Sequence, residues 1–341
     1  MKKILITGGA GYIGSHTIIE MLENTDWQPI SADNFSNSSA ATFDRIKEIT
    51  GKTITNYAVD LCDAKATREI FEKNPDIAGI IHFAAFKSVP ESVEKPLLYY
   101  HNNIESLVNM LALAKEFKVP HFIFSSSCSV YGNIDKLPVN ESTPMSKAES
   151  PYGFTKQIGE EILSNFANVI PTVKTVALRY FNPVGAHRSG KIGEVPVQRP
   201  NNLVPMITQT AIGKQKEVTV FGDDYPTRDG TCIRDYIHVC DIAQAHIRAL
   251  QYLDKEKNAP QFSILNLGTG NGISVMEMVK TFEKVSGTKL NYKIGPRRPG
   301  DVVAIYSDMT LVQKTLGWTP KYNLDEMMSS AWKWEQNLKN N

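Results

Sequence analysis

Short apolar runs alternate along the first half of the chain with stretches whose apolar positions recur at helical spacing. Lys3 to Thr7 reads as a buried strand, Tyr12 to Glu23 as a helix and Pro29 to Ala32 as a second strand. Ile54 to Ala58, Ile77 to Phe83 and Phe122 to Ser126 continue the strands, and roughly Lys95 to Lys118 has helical periodicity. A helix from Pro151 leads to a strand at Thr175 to Arg179. Strands that alternate with helices in this way bury a parallel sheet under crossover helices, so the pattern predicts an α/β fold built on a doubly wound parallel sheet.

After Arg179 the texture changes. Asn182 to Pro205 is rich in Gly, Pro and Asn and reads as a connecting region. Beyond it the pattern predicts a helix near Leu203 to Ile212, a strand near Val218 to Phe221 and a Gly- and Asp-rich loop at Gly222 to Gly230. Helices follow near Asp241 to Leu253, Ser274 to Ser286 and Leu324 to Asn337. The expected division is a domain built on the parallel sheet at 1–180 and a smaller C-terminal α/β substrate-binding domain at 181–341, with roughly 235–266 returning to the first.

Composition narrows the partners. With 42% hydrophobic residues, 21% charged residues and a net charge of +1, no basic excess points to nucleic acid. The two lysines before Ile4-Leu5-Ile6 imitate a secretory leader, but that apolar run is far too short for one or for a membrane span. No nucleic-acid or membrane partner is expected. The four cysteines, at 62, 128, 232 and 240, show no metal-ligand spacing, which predicts no metal and free thiols in a reducing, cytoplasmic setting.

Thr7-Gly8-Gly9-Ala10-Gly11-Tyr12-Ile13-Gly14 lies between a predicted strand and a predicted helix. It satisfies GxGxxG through Gly9, Gly11 and Gly14, and GxxGxxG through Gly8, Gly11 and Gly14. Glycines allow a pyrophosphate to approach the helix N-terminus, whose free N–H groups and dipole favour the negative charge. Asp33, 19 residues beyond Gly14 at the end of the second strand, can accept from both adenosine ribose hydroxyls and would repel a 2′-phosphate, which favours NAD over NADP. It could instead only cap the turn at Asp33-Asn34. Asp60-Leu61 is placed to meet the adenine ring, with an N-cap role for Asp60 or Asp63 as the alternative. Small residues in Phe83-Ala84-Ala85-Phe86-Lys87 would leave space for a cofactor backbone, or serve close packing.

In Ser150-Pro151-Tyr152-Gly153-Phe154-Thr155-Lys156, Pro151 suits the first helical turn, so Tyr152 and Lys156 share one face. An ammonium beside a phenol favours the phenolate, and a cationic nicotinamide would add to the effect; the pair is then a general base near neutral pH. Packing on an exposed face is the bland alternative.

These motifs, with HFAAFKSV after the fourth strand and SSSCSVYG after the fifth, resemble the extended short-chain dehydrogenase/reductases. The resemblance implies a Rossmann domain, NAD, and a catalytic set of Ser127, Tyr152 and Lys156. Ser127 would bond the reacting sugar hydroxyl, and Lys156 would hold the nicotinamide ribose. In cofactor binding it implies Gly8, Gly11, Tyr12, Ile13, Gly14, Asp33, Asn34, Asn37, Ser38, Asp60, Leu61, Phe83, Ala84, Lys87, Asn102, Tyr152, Lys156 and Phe181.

Dehydratases of this family carry an acid and a base before VYG. Ser127-Cys128-Ser129 contains no carboxylate, so elimination lacks its pair. The segments DNFSNS, SVPESVEKPLLYYHNN, LRYFNPVGAH, PNNLVP, FGDDYPTRDGTCIRDYIHVCD, LNLGTGNGISV and RRPGDV narrow the resemblance to the UDP-glucose 4-epimerases over almost the entire chain. That implies a UDP-sugar substrate held by Ser127, Tyr152, Asn182, Asn202, Leu203, Phe221, Arg234, Tyr236, Arg298 and Asp301. The implied reaction is C4 epimerisation of UDP-galactose and UDP-glucose through a 4-keto sugar and bound NADH. Relatives are commonly homodimers joined by a helix bundle, for which residues 95–118 and 151–165 are the candidates. Arg234-Asp235 as a structural ion pair and Arg297-Arg298 as a solvated turn stay open. Ile305, intermediate in bulk, stands where relatives select against or admit N-acetylated sugars; N-acetylhexosamine or uronate substrates, or a silent NAD sensor, are the rival readings.

Overall fold

The first apolar run is buried because strands flank it on both sides. The structure is a computed structural model that describes residues 2–196, 200, 202–298 and 301–340. In chain order its strands are β1 (Lys3–Thr7), β2 (Gln28–Ala32), β3 (Asn56–Tyr57), β4 (Ile77–His82), β5 (His121–Ser127), β6 (Lys174–Tyr180), β7 (Asn182–Val184), β8 (Val218–Phe221), β9 (Ile233–His238), β10 (Phe262–Leu267), β11 (Gly272–Ser274), β12 (Tyr292–Gly295) and β13 (Ala304–Ile305). The helices are α1 (Tyr12–Asn24), α2 (Ala41–Thr50), α3 (Ala64–Lys73), α4 (Val89–Glu94), α5 (Pro96–Tyr100), α6 (Ser106–Glu116), α7 (Pro151–Val169), α8 (Leu203–Ala211), α9 (Val239–Lys255), α10 (Val275–Ser286), α11 (Thr310–Leu316) and α12 (Leu324–Asn340).

Seven parallel strands form the main sheet in the order β3-β2-β1-β4-β5-β6-β10. Leu5 stands opposite Ile30 on one side and Ile80 on the other, in a continuous apolar centre of the kind parallel sheets require. One face is covered by α1, α9 and α11, with Ile18, Ile242, Leu250 and Trp318 in the core. The other face is covered by α3, α6 and α7 through Phe71, Leu107, Met110 and Leu163. The strand order reverses between β1 and β4, which opens a crevice at their C-terminal ends. A second sheet of β7, β9, β11 and β13, the pair β8–β12, and the helices α8, α10 and α12 make the remaining layer around Ile207, Phe282 and Met328.

Three features depart from the pattern read along the chain. The stretch Lys95 to Lys118 is not one helix: Pro96 starts α5, a π-helical turn spans His101–Glu105, and α6 follows. A proline has no N–H to continue the preceding helix, so α4 ends at Glu94 with Lys95 as its C-cap. The region Asn182 to Pro205 holds a strand after all, because β7 finds a parallel partner in β9, Asn182 opposite Tyr236. Helices α2 and α3, absent from that reading, are ten residues each and bury only two or three side chains.

Candidate active site

The crevice begins where β1 turns into α1. Gly8 has φ +71°, and a Cβ there would stand 2.9 Å from the backbone nitrogen of Ala84; one on Gly14 would stand 2.2 Å from the carbonyl oxygen of Gly8. Loop and helix therefore close only with glycine at both places. Gly11 caps α1 without a side-chain bond, so first-turn N–H groups, Tyr12 and Ile13 among them, are left for an anion. Asp33 is 9% exposed at the end of β2. Its Oδ2 accepts from Ala10 N at 3.0 Å, and its Oδ1 from Phe35 N at 2.9 Å and Ser38 Oγ at 2.7 Å. The carboxylate thus organises the turn and keeps capacity for a further donor, since an ionised carboxylate has about four lone-pair sites. Asn34 and Asn37 are exposed beside it. Glycine cradle, uncapped helix end and buried acid together fit a dinucleotide.

Asp60 accepts from Cys62 N at 2.9 Å, while Asp63 caps α3 through Ala66 N at 2.9 Å. Leu61 is buried in the core, so its side chain serves packing. Phe83 packs on His246 with ring centroids 4.6 Å apart, and Ala84 N donates to Thr7 Oγ1 at 3.3 Å. Asn102 donates to Asn103, which exchanges two bonds with the Phe86 backbone and donates to Thr155 Oγ1 at 3.2 Å. Asn103 therefore staples the loop after β4 to α7. Glu194 receives Lys87 Nζ at 3.1 Å and Asn202 Nδ2 at 2.9 Å on the same oxygen. No sequence pattern singled out Asn103 or Glu194. Nor did spacing show that donor atoms of Cys62, His101 and Glu105 lie within 4.8 Å of one another at the surface.

Ser150 caps α7 by accepting from Gly153 N at 3.1 Å, which fixes the register that puts Tyr152 and Lys156 on one face. Lys156 is 4% exposed. Its Nζ donates to Ser125 O at 2.7 Å and lies 4.9 Å from the Phe124 ring centroid and 5.8 Å from that of Tyr152. Ser127 closes β5; its Oγ accepts from Ser129 N at 3.2 Å. Burial pushes the Tyr152 phenol up to about 12, with the Ser127 hydroxyl pulling against it. Burial likewise pulls Lys156 down to about 7, opposed by Glu160. Among the chain's own groups, loss of water is the largest influence on both side chains.

Across the crevice two arginines converge on one acid. Arg298 meets Asp301 through Nε at 3.1 Å and Nη2 at 2.9 Å, and Arg234 Nη2 meets it at 3.3 Å. Arg234 also donates to the carbonyls of Ile233 and Val302, both at 2.8 Å. An Arg234–Asp235 pair is thereby corrected. Asp235 is fully buried and instead accepts from Thr269, Gly270 and Ser307, because those N–H and O–H groups need an acceptor where water is excluded. Arg298 lies 5.5 Å over the Phe221 ring, which is 39% exposed. Leu203 opens α8, whose N-cap, Asn202, makes no side-chain capping bond. Tyr236 is buried opposite Asn182. Phe181 and Ile305 share a small core with Val130, Tyr131 and Val139, joining the turn after β5 to β13.

A family model described as GDP-mannose 4,6 dehydratase matches residues 5–331. The chain is 47% identical over 332 residues to the UDP-glucose 4-epimerase of Erwinia amylovora, covering 97% of each. It belongs to the UDP-glucose 4-epimerase family. Two crystal structures of UDP-glucose 4-epimerases share its fold. One, from Stenotrophomonas maltophila with bound NAD and formylated UDP-arabinopyranose, has a TM-score of 0.95 and 41% identity, covering 100% of this chain and 99% of that one. The other, from Bifidobacterium longum in complex with NAD+ and UDP, has a TM-score of 0.94 and 44% identity, covering 99% of each.

Proposed function

We propose that the protein interconverts UDP-galactose and UDP-glucose at C4, with NAD held through the whole cycle. The observation that carries this reading is the meeting of Ser127, Tyr152 and Lys156 at the crevice, without a carboxylate in the serine turn, opposite a pair of arginines suited to a diphosphate.

The glycine loop and α1 would receive the cofactor pyrophosphate, and Asp33 a ribose. When bound, NAD supplies a hydride acceptor and a cationic ring that favours the Tyr152 phenolate. Tyr152 would then take the proton of the C4 hydroxyl, with Ser127 bonded to the same oxygen and Lys156 keeping the phenolate charge balanced. Arg234 and Arg298 would anchor the diphosphate and Phe221 would pack on the uracil. An anchored nucleotide and a loosely held hexose allow the sugar to present its other face, so that the proton returns to an inverted centre.

Purified protein given UDP-galactose and no added NAD should form UDP-glucose, followed by NMR or chromatography, without accumulating NADH. No epimer even after NAD is supplied would overturn the reading. Ile305, intermediate in bulk and 5% exposed in the core beside Arg234, keeps UDP-N-acetylgalactosamine as a second substrate to test in the same assay.

The homodimer reading is supported by an apolar face on α4 to α7: Val93 is 60% exposed, Leu97 80% and Phe154 44%. A second copy would cover it, and sedimentation should give twice the chain mass. No described helix is long and apolar enough to cross a membrane. The four thiols are unpaired, in keeping with a reducing compartment such as the cytoplasm.

A further inference from the structure

We propose that Glu160 and Arg179 are positioning residues of this reaction: their buried ion pair sets a negative charge behind Lys156 and clamps the Ser127 turn to the catalytic helix. The inference rests on the reaction proposed above.

Tyr152, Lys156 and Glu160 follow at four-residue steps on α7, so Glu160 lies one turn beyond the lysine on the same face. Glu160 and Arg179 are each 3% exposed. Arg179, from β6, grips the carboxylate with two prongs, Nε to Oε1 at 2.9 Å and Nη2 to Oε2 at 2.6 Å. Ser126, the residue before Ser127, donates to the same Oε1 at 2.5 Å. The guanidinium also lies 4.8 Å from the centroid of the Tyr131 ring, whose hydroxyl donates to Asn266 at 2.7 Å. One ion pair thus fastens α7, the end of β5, β6 and the turn that carries Ser127.

A buried ion pair is an expensive way to hold a core together, since an apolar pair of equal volume serves stability as well or better. Its charge has a use beside Lys156. The ionisable groups around that lysine are Tyr152 and Glu160 on its own helix and His82 from β4; Cys128 and Tyr180 adjoin Tyr152, and Arg179 lies on the Tyr131 ring. Those of α4, α5 and the π-turn are engaged with one another, Tyr99 with Glu91 at 3.0 Å and His101 with Glu105 at 2.6 Å. Burial pulls the Lys156 proton off, and the Glu160 carboxylate one turn along the helix opposes that pull. The ammonium is the form that balances the phenolate and can donate to a ribose.

The test compares pH profiles of kcat for the holoenzyme and its variants. In Glu160→Gln the alkaline limb should move to lower pH by about one unit or more, the range expected on removing a close opposite charge. Glu160→Asp should keep the wild-type limb while kcat falls. The double variant Glu160→Gln/Arg179→Met removes both charges, so it should fold where the single variant leaves Arg179 unpaired, and it should keep the lowered limb. NMR titration of the Lys156 side chain should move the same way without any turnover. If kcat falls equally at every pH and the lysine titrates as in wild type, the inference is wrong. Should the wild type make no epimer, the proposed reaction fails, and the NMR titration still judges Glu160.

Discussion

Tyr152 carries the sharpest residue-scale expectation. Tyr152→Phe should lower kcat by roughly 10²- to 10⁴-fold, the usual worth of a positioned acid or base, while the protein keeps its NAD; turnover near the wild-type rate would show that another group moves the proton. Arg298, about half exposed and shared with Asp301, tests the opposite wall. Arg298→Ala should raise KM for the UDP-sugar about tenfold with kcat little changed, as loss of a charge-assisted bond made equally in ground and transition states requires. A drop in kcat alone would place the diphosphate elsewhere. Tyr152 and Lys156 were readable in the chain because their relation is local, four residues on a helix started by Ser150 and Pro151. Glu194 was not readable: it lies 107 residues from the lysine it binds.

At the scale of elements, the glycine loop is a steric requirement that one methyl group can break. A Cβ on Gly14 would meet backbone rather than a movable side chain, so Gly14→Ala should lower both Tm and NAD content per chain; an unchanged NAD content would mean that the loop opens without harm to its binding face. Long elements with a clear period, such as α9 and α10, were legible from the pattern alone. Short ones were not, for β7, β11 and β13 have two or three residues each and exist because β9 offers them a ladder. The break in 95–118 was foreshadowed by Pro96, while the π-turn after α5 has no such marker in the chain.

Over the whole molecule, buried histidines tie stability to pH. Burial holds His16 and His246 down at about 4 and His82 and His238 down at about 3. The unfolded chain therefore binds more protons below the ordinary imidazole value of about 6.5. Stability from these groups is complete above that value and is lost as pH falls toward 4 and 3. Asp241, raised to about 6 by burial, works in the other direction: its contribution is present at low pH and is lost as pH rises through 6. Burial also lowers His121 and His187 and raises Glu20, Glu141 and Asp235; six imidazoles outweigh four carboxyls, so Tm should fall by about 5 °C or more between pH 7 and pH 5, and unfolding at pH 5 should take up protons. Calorimetry in two buffers of different ionisation enthalpy measures that uptake, and a net release would contradict it. The parallel sheet, the dinucleotide loop and the catalytic helix followed from the order of residues alone, since each depends on a period or a spacing within about thirty residues. The convergence of Arg234 and Arg298 on Asp301, the five bonds to Asp235 and the Glu160–Arg179 clamp belong to the tertiary structure. Arg234 and Asp235 reach partners 34 to 72 residues away, the clamp joins a helix to a strand that only packing sets beside it, and burial decides which charge finds which partner.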